Sequence, residues 1–421
     1  MKNLPPIRFG FLAALALVAL PSAHAQPPPL PFGGPGGPPP NFGPPPPPPP
    51  ASPNQNSPPI TRAIAGLTAA ELSDFLKGRD TFNLPETPAS GLGPIFNDVS
   101  CFACHNAGGP GGAGGRTVTR FGRTENGVFD PLTALGGSLL QERAINPAVR
   151  EVIPASANTV ARRLTTPLFG AGLIEAIPDS AIVLGALQPK PAGIAGKISV
   201  VHDVASGQNR IGRFGWKAQQ ATLLAFAGDA FVNEMGITNR LFPVENAPNG
   251  NAALLPQFDR VPDPEDPADP ATGKADIDRA ADFMRLLAPP ARGAATASSA
   301  AGERLFASLD CAVCHTPAMT TGKNSIAALS EKPVGLYSDL LLHDMGALGD
   351  GIAQGTAGVR DMRTAPLWGL RARPVWLHDG RARTIDAAIR AHAGEAQDTR
   401  DRYVNLGNTE RQQLLDFLNT L

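Results

Sequence analysis

The 421-residue chain carries 36 basic and 37 acidic side chains, for a formal net charge of −1. With no basic patch or acidic run, it has no electrostatic footprint for nucleic acid or for another strongly charged partner. All four cysteines fall in two copies of one pentapeptide, which leaves none for other work.

Lys2 and Arg8 precede an apolar run from Phe9 to Leu20, then Pro21 and the small-X-small sequence Ala23-His24-Ala25. This pattern predicts a cleavable signal peptide over residues 1–25. The apolar run is shorter than the ~20 residues that span a bilayer, and no later segment is long and apolar enough to do so, which argues against stable membrane insertion. Residues 26–60 are roughly half proline and include the unbroken run Pro44 to Pro50. Such a segment has too little apolar material to bury and is expected to be a disordered, semi-rigid polyproline linker. The ~360 residues that follow exceed one hydrophobic core and suit two domains.

Thr68 and Glu71 form a capping box ahead of Leu72, Phe75 and Leu76 at helical spacing. The first pentapeptide follows as Cys101-Phe102-Ala103-Cys104-His105. Two thiols three positions apart each form a thioether to one porphyrin vinyl group, and the adjacent imidazole reaches the iron, so the motif reads as covalent haem attachment. A glycine cluster from Gly108 to Gly115 then predicts a flexible loop over this haem. It lacks the lysine and the following helix of a phosphate cradle.

About two hundred residues separate the two motifs, more than one small haem domain needs, so a long insertion is expected in the first. The Pro- and Asp-rich stretch Pro262 to Pro270 reads as the interdomain boundary, followed by a helix from Ala275 to Leu287. A helix ending at Ser308 leads into the second motif, Cys311-Ala312-Val313-Cys314-His315. At the C-terminus Asn408 is placed to cap a helix with Leu414, Leu415, Leu418 and Leu421 as its apolar stripe. Strand-like alternation is sparse. Pooling the four thiols into one zinc site is the alternative use of these cysteines, and the repeated histidine argues against it. Two covalent haems and the export signal together point to the periplasm.

Several motifs carry a resemblance beyond this. Pro94-Ile95-Phe96-Asn97, Gly212-Arg213-Phe214-Gly215-Trp216-Lys217-Ala218, Asn233-Glu234-Met235-Gly236, Leu341-Leu342-His343-Asp344-Met345-Gly346, Arg363-Thr364-Ala365-Pro366-Leu367-Trp368-Gly369-Leu370 and Leu377-His378-Asp379-Gly380-Arg381-Ala382 resemble the di-haem oxidoreductase family. That family is related to the bacterial di-haem cytochrome c peroxidases and MauG. The resemblance runs from about residue 60 to the C-terminus. It implies a mainly α fold with two cytochrome c-like haem domains, a peroxidatic one over 61–260 and an electron-transfer one over 261–421.

In these relatives a side chain fourteen positions after the histidine of the His-Asp-Gly motif ligates the second haem, usually methionine or tyrosine. That position here is His392, so His315 and His392 would make a bis-histidine, low-spin centre. Its potential would lie below that of a His/Met haem. His343 and Met345 are rival ligands, and His378 reads as a group beside the haem. No histidine or methionine closely follows His105, so the first haem is expected to be open to peroxide. Glu234 matches the family's distal glutamate, which moves a proton between the peroxide oxygens; Glu175 is the second candidate. Trp216 resembles the tryptophan that relays electrons between the haems. The relatives also bind calcium between the domains, partly through backbone carbonyls, so calcium is a cofactor the resemblance allows.

The expected activity is therefore peroxide activation at haem one, with electrons passed through haem two from a small redox protein or a protein substrate. The alternatives are a non-catalytic di-haem electron carrier and a dioxygen-using oxygenase.

Overall fold

The computed structural model describes residues 61–421; the expected signal peptide (1–25) and Pro-rich linker (26–60) lie outside the described residues. The capping box at Thr68 forms as read: Glu71 accepts from the Thr68 backbone N–H at 2.7 Å and starts helix α1, Ala69–Asn83. Its buried face differs from the expected stripe. Phe75, Gly78 and Phe82 are buried, whereas Leu72 and Leu76 remain substantially exposed. Gly78 explains the choice of face, because a Cβ there would lie 2.2 Å from the Arg279 carbonyl of a helix packed against α1.

Sheet structure is more extensive than the sparse alternation implies. Strand β1, Thr117–Glu125, pairs antiparallel with β2, Val128–Asp130, with β3, Leu139–Leu140, and with β4, Thr159–Leu164. The fold thus combines helices with short sheets, and β1 and β4 form a wall of the first haem-motif region.

Helix α2, Leu223–Ala230, is capped by Thr222 and runs directly into a π-helical turn, Phe231–Met235. Helix α3, Asp276–Leu286, agrees with the expected helix after the proline-rich stretch. It lies beyond the anticipated boundary at 260/261, yet its buried Ile277, Phe283 and Met284 join the same core as Phe75 and Phe82 of α1. That core also takes in Leu336, Leu340, Leu341 and Trp368, which follow the second motif in sequence.

A second cluster is built on α4, Ala297–Ser308, and α5, Asn408–Leu418. Gly302 lets the two helices touch, since a Cβ there would sit 1.9 Å from the Gln413 carbonyl. Asn408 is the first residue of α5 rather than its cap; Gly407 occupies the cap, and its N–H donates to Glu410 at 3.1 Å. Leu414, Leu418 and Leu421 are buried as the stripe predicts. Among the described residues no helix is long and apolar enough to cross a membrane.

Candidate functional site

Each Cys-X-X-Cys segment forms a single helical turn, Cys101–Cys104 and Cys311–Cys314, which sets both sulfurs and the following histidine on one wall of a cavity. The glycine loop after His105 packs closely on the first turn. A Cβ at Gly114 would lie 2.0 Å from the Cys104 carbonyl, and one at Gly112 would lie 1.9 Å from that of Ala107. These glycines therefore serve close backbone approach rather than a loose flap.

The first cavity encloses about 1140 Å³, counted out to its mouth, and the second about 1330 Å³. Cys101, Cys104 and His105 line the first; Cys311, Cys314 and His315 line the second. The four thiols do not come together among the described residues, so the pooled zinc alternative has no geometric support. Burial pushes the thiols of Cys101, Cys104 and Cys311 up to about 12.

The second cavity pairs two imidazoles. The ring centroids of His315 and His392 are 6.5 Å apart. Two imidazoles bound on opposite sides of one metal ion, each about 2 Å from it, place their centroids roughly 6 to 6.5 Å apart. His315 Nδ1 lies 3.0 Å from the Tyr337 carbonyl and His392 Nδ1 lies 2.8 Å from that of Ala388. Carbonyl anchoring of Nδ1 leaves Nε2 of each ring for a metal. His343 is engaged differently: Nδ1 is 2.7 Å from Glu395 and Nε2 is 2.9 Å from Asp339. Burial alone would lower its pKa, but the bonds to Asp339, Cys314 and Glu395 outweigh this and raise it. Both ring nitrogens are occupied, so His343 is the weaker ligand candidate. Met345 lines the same cavity, and His378 stands edge-on to Trp216 with ring centroids 6.2 Å apart.

The first cavity has His105 as its one lining histidine; Met235 and Met284 also line it. Glu234 reaches it from the π-helical turn, a local widening that recurs at functional sites. The turn is braced by the Pro94–Asn97 motif, for the Asn97 N–H donates to the Glu234 carbonyl (2.8 Å) and the Gly93 N–H to that of Met235 (2.9 Å). Asn97 Nδ2 donates to Glu234 Oε2 at 2.8 Å. Burial raises the Glu234 pKa, while Arg120 and Asn97 act against the rise. Asp229 lines the same cavity, is raised by burial, and accepts from Asn233 Nδ2 at 3.0 Å. Glu175 lies elsewhere. It accepts from Arg285 Nε at 2.7 Å and from the Leu223 N–H at 2.7 Å, which makes it an ion-pair partner and a brace for α2.

Trp216 is the one residue that lines both cavities. Its indole N–H donates to the Leu164 carbonyl at 2.8 Å, fixing the ring between them.

The sequence assigns no role to three arginines, although Arg363 opens one of the motifs that carry the resemblance. Arg120 lines the first cavity, and Arg363 and Arg373 line the second; none forms an ion pair with a carboxylate among the described residues. Arg120 Nε and Arg373 Nε are buried without a hydrogen-bond partner, and burial lowers all three guanidiniums to about 10. Arg120 has Glu234 and Asp229 near it, whereas no carboxylate offsets the burial of Arg373, and an uncompensated buried cation is costly. The two propionates of a haem supply the missing negative charge, so the residues of both cavities fit that group.

The sequence matches the family model for di-haem oxidoreductases over residues 149–421, and the chain belongs to that family. Family membership implies an oxidoreductase with two haem cofactors. No curated protein matches the chain. Among solved structures, the chain is similar to the diheme peroxidase BthA from Burkholderia thailandensis, at 14% identity over 83% of this chain and 86% of that one, with a TM-score of 0.39. Hydrazine synthase from Kuenenia stuttgartiensis aligns at 14% identity over 85% and 90%, with a TM-score of 0.35. A MauG-like protein associated with microbial copper homeostasis aligns at 15% identity over 60% and 89%, with a TM-score of 0.32.

Proposed function

We propose that this di-haem oxidoreductase is an exported, periplasmic c-type enzyme that reduces hydrogen peroxide at the His105 haem and draws electrons through the His315 haem. The observation that carries the reading is the asymmetry of the two cavities. One sets a second imidazole opposite its motif histidine; the other has a buried carboxylate, Glu234, and no second histidine.

The bound haems supply the iron at which peroxide is reduced and the store of electrons for it. The protein's share is proton handling and positioning. Asn97 occupies Glu234 Oε2, which leaves Oε1 to take a proton from one peroxide oxygen and return it to the other. The Arg120 guanidinium favours the charged carboxylate that starts this transfer. Trp216, shared by both cavity walls, is the path for electrons between the haems. Cys101 and Cys104, and Cys311 and Cys314, hold the porphyrins by thioether bonds. The electrons come from a small redox protein or from a protein substrate.

The test is stopped-flow mixing of the purified diferric protein with a small excess of hydrogen peroxide. A rapid change of the haem bands to a persistent spectrum of a protein oxidised beyond the diferric state supports peroxide activation. Met235 and Met284 line the first cavity, so a methionine-capped electron carrier is the competing reading. It would be supported by an unchanged spectrum together with failure of cyanide to bind.

A further inference from the structure

A second polar site lies apart from both haem cavities. Glu245, Asp263 and Glu265 each bring a carboxylate oxygen within 4.8 Å of the others. Glu245 is 8% exposed, and its Oε2 is buried without any hydrogen-bond partner; its Oε1 accepts from the N–H of the next residue, Asn246, at 3.0 Å. The surrounding groups do not neutralise the site. Thr238 donates its hydroxyl to Asp263 and its N–H to Glu265 at 2.8 Å, but among the described residues no basic side chain pairs with any of the three carboxylates. Asp259 adds a further nearby negative charge.

A buried carboxylate oxygen without a donor, on a side chain set against two other carboxylates, lacks a cation rather than a hydrogen bond. We infer that Glu245, Asp263 and Glu265 bind a hard divalent cation, calcium, at a site separate from the haems. Calcium takes six to eight oxygens at about 2.3–2.6 Å, so opposite ligands on one ion stand roughly 5 Å apart, which accommodates the observed spread. Three carboxylates, some bidentate, and the Thr238 hydroxyl supply most of that shell.

The site adjoins the catalytic turn. Asn246 Nδ2 donates to the Val232 carbonyl at 2.9 Å, and Thr238 follows Glu234 by four residues. An ion here ties the segments at 238, 245 and 263–265 together behind the turn that carries Glu234.

The experiment is calcium and iron analysis of the holoprotein after equilibration with calcium chloride and removal of free ion, for the unmodified chain, Glu245→Gln and Asp263→Asn. The expected result is one calcium per two irons fewer in each variant, with haem spectra unchanged. Exposed Asp263 keeps the test valid if Glu245→Gln does not fold. A calcium held between haem lobes by backbone carbonyls survives both substitutions, so only the difference counts. Equal calcium in the unmodified chain and in Asp263→Asn overturns the inference.

Discussion

The imidazoles of His315 and His392 stand 6.5 Å apart, centroid to centroid, across the second cavity, each with Nδ1 anchored on a backbone carbonyl. Replacing His392 with methionine exchanges a nitrogen ligand for a thioether, which raises haem potential. The expected shift is upward by on the order of 0.1 V or more, within the roughly 0.8 V range that axial ligands set. A redox titration of the second haem band measures it. An unchanged potential and spectrum in the variant would assign the distal position to another group, with Met345 next in line on the cavity wall.

Glu234→Gln keeps the shape of the side chain and an acceptor for Asn97 while removing the titrating oxygen. Both haem spectra should persist, and the bimolecular rate with peroxide should fall roughly 10²- to 10⁴-fold. Burial raises the Glu234 pKa above its ordinary value, and the proton transfer begins from the carboxylate. The peroxide rate of the unmodified enzyme should therefore decline as pH falls through that raised pKa. Stopped-flow rates across the acid range should show this limb in the unmodified enzyme and its absence in the variant.

Why some of this could be read from sequence and some could not follows from how local each device is. Haem attachment needs two thiols and an imidazole within five residues, so covalent chemistry writes it contiguously. Helices α1, α3 and α5 are legible from spacing within their own segments, although Leu72 and Leu76 of α1 stay exposed and Gly407 rather than Asn408 caps α5. Strand β1 hid because Arg120, Arg123 and Gly122 interrupt its alternation, and Arg120 is spent on the cavity rather than on the core. A signal was available: Asn126-Gly127, with both φ angles positive at 50° and 78°, is the two-residue turn that joins β1 to β2. The burial of Arg120, Arg363 and Arg373 has no local trace, since it depends on elements distant in sequence. The motif around Glu234 ranks it ahead of Glu175, and packing separates the two further by giving Glu175 an arginine and Glu234 a cavity.

Glu175→Gln separates those two carboxylates. It removes the charge that meets Arg285 at 2.7 Å, and the pair is largely shielded from water. A hydrogen bond to a charged group contributes about 1.5–3 kcal/mol, so the denaturant midpoint should fall by a corresponding amount. The peroxide rate should stay at its unmodified value. A large drop in rate with haem spectra intact would return Glu175 to the catalytic scheme.

Trp216→Phe keeps an aromatic ring between the cavities but deletes the N–H that bonds the Leu164 carbonyl. The lost bond should cost about 0.5–1.5 kcal/mol of stability. The reaction of peroxide at the first haem should proceed, while oxidation of a pre-reduced second haem should slow roughly tenfold or more, equal to about 1.4 kcal/mol on that barrier. Two-wavelength stopped flow on the half-reduced protein resolves the steps. Equal rates of second-haem oxidation in both proteins would make Trp216 a packing residue.

Stability of the calcium-free protein should depend on pH through Glu245 and Glu265. Their folded-state pKa values, about 9 and about 8, lie above the ordinary value of 4.5, so the folded chain holds protons that the unfolded chain releases. Their contribution is fully present below about pH 4.5 and is lost as pH rises through 8 to 9. Thermal melts of the holoprotein in chelator should therefore show a falling midpoint from pH 5 to pH 9, and Glu245→Gln should flatten that fall. Calcium holds the carboxylates ionised in the folded state and reverses the sign: ion binding strengthens as they deprotonate, so added calcium should raise the midpoint more at pH 8 than at pH 5. A calcium effect of equal size at both pH values would mean that the ion stabilises the protein from some other site.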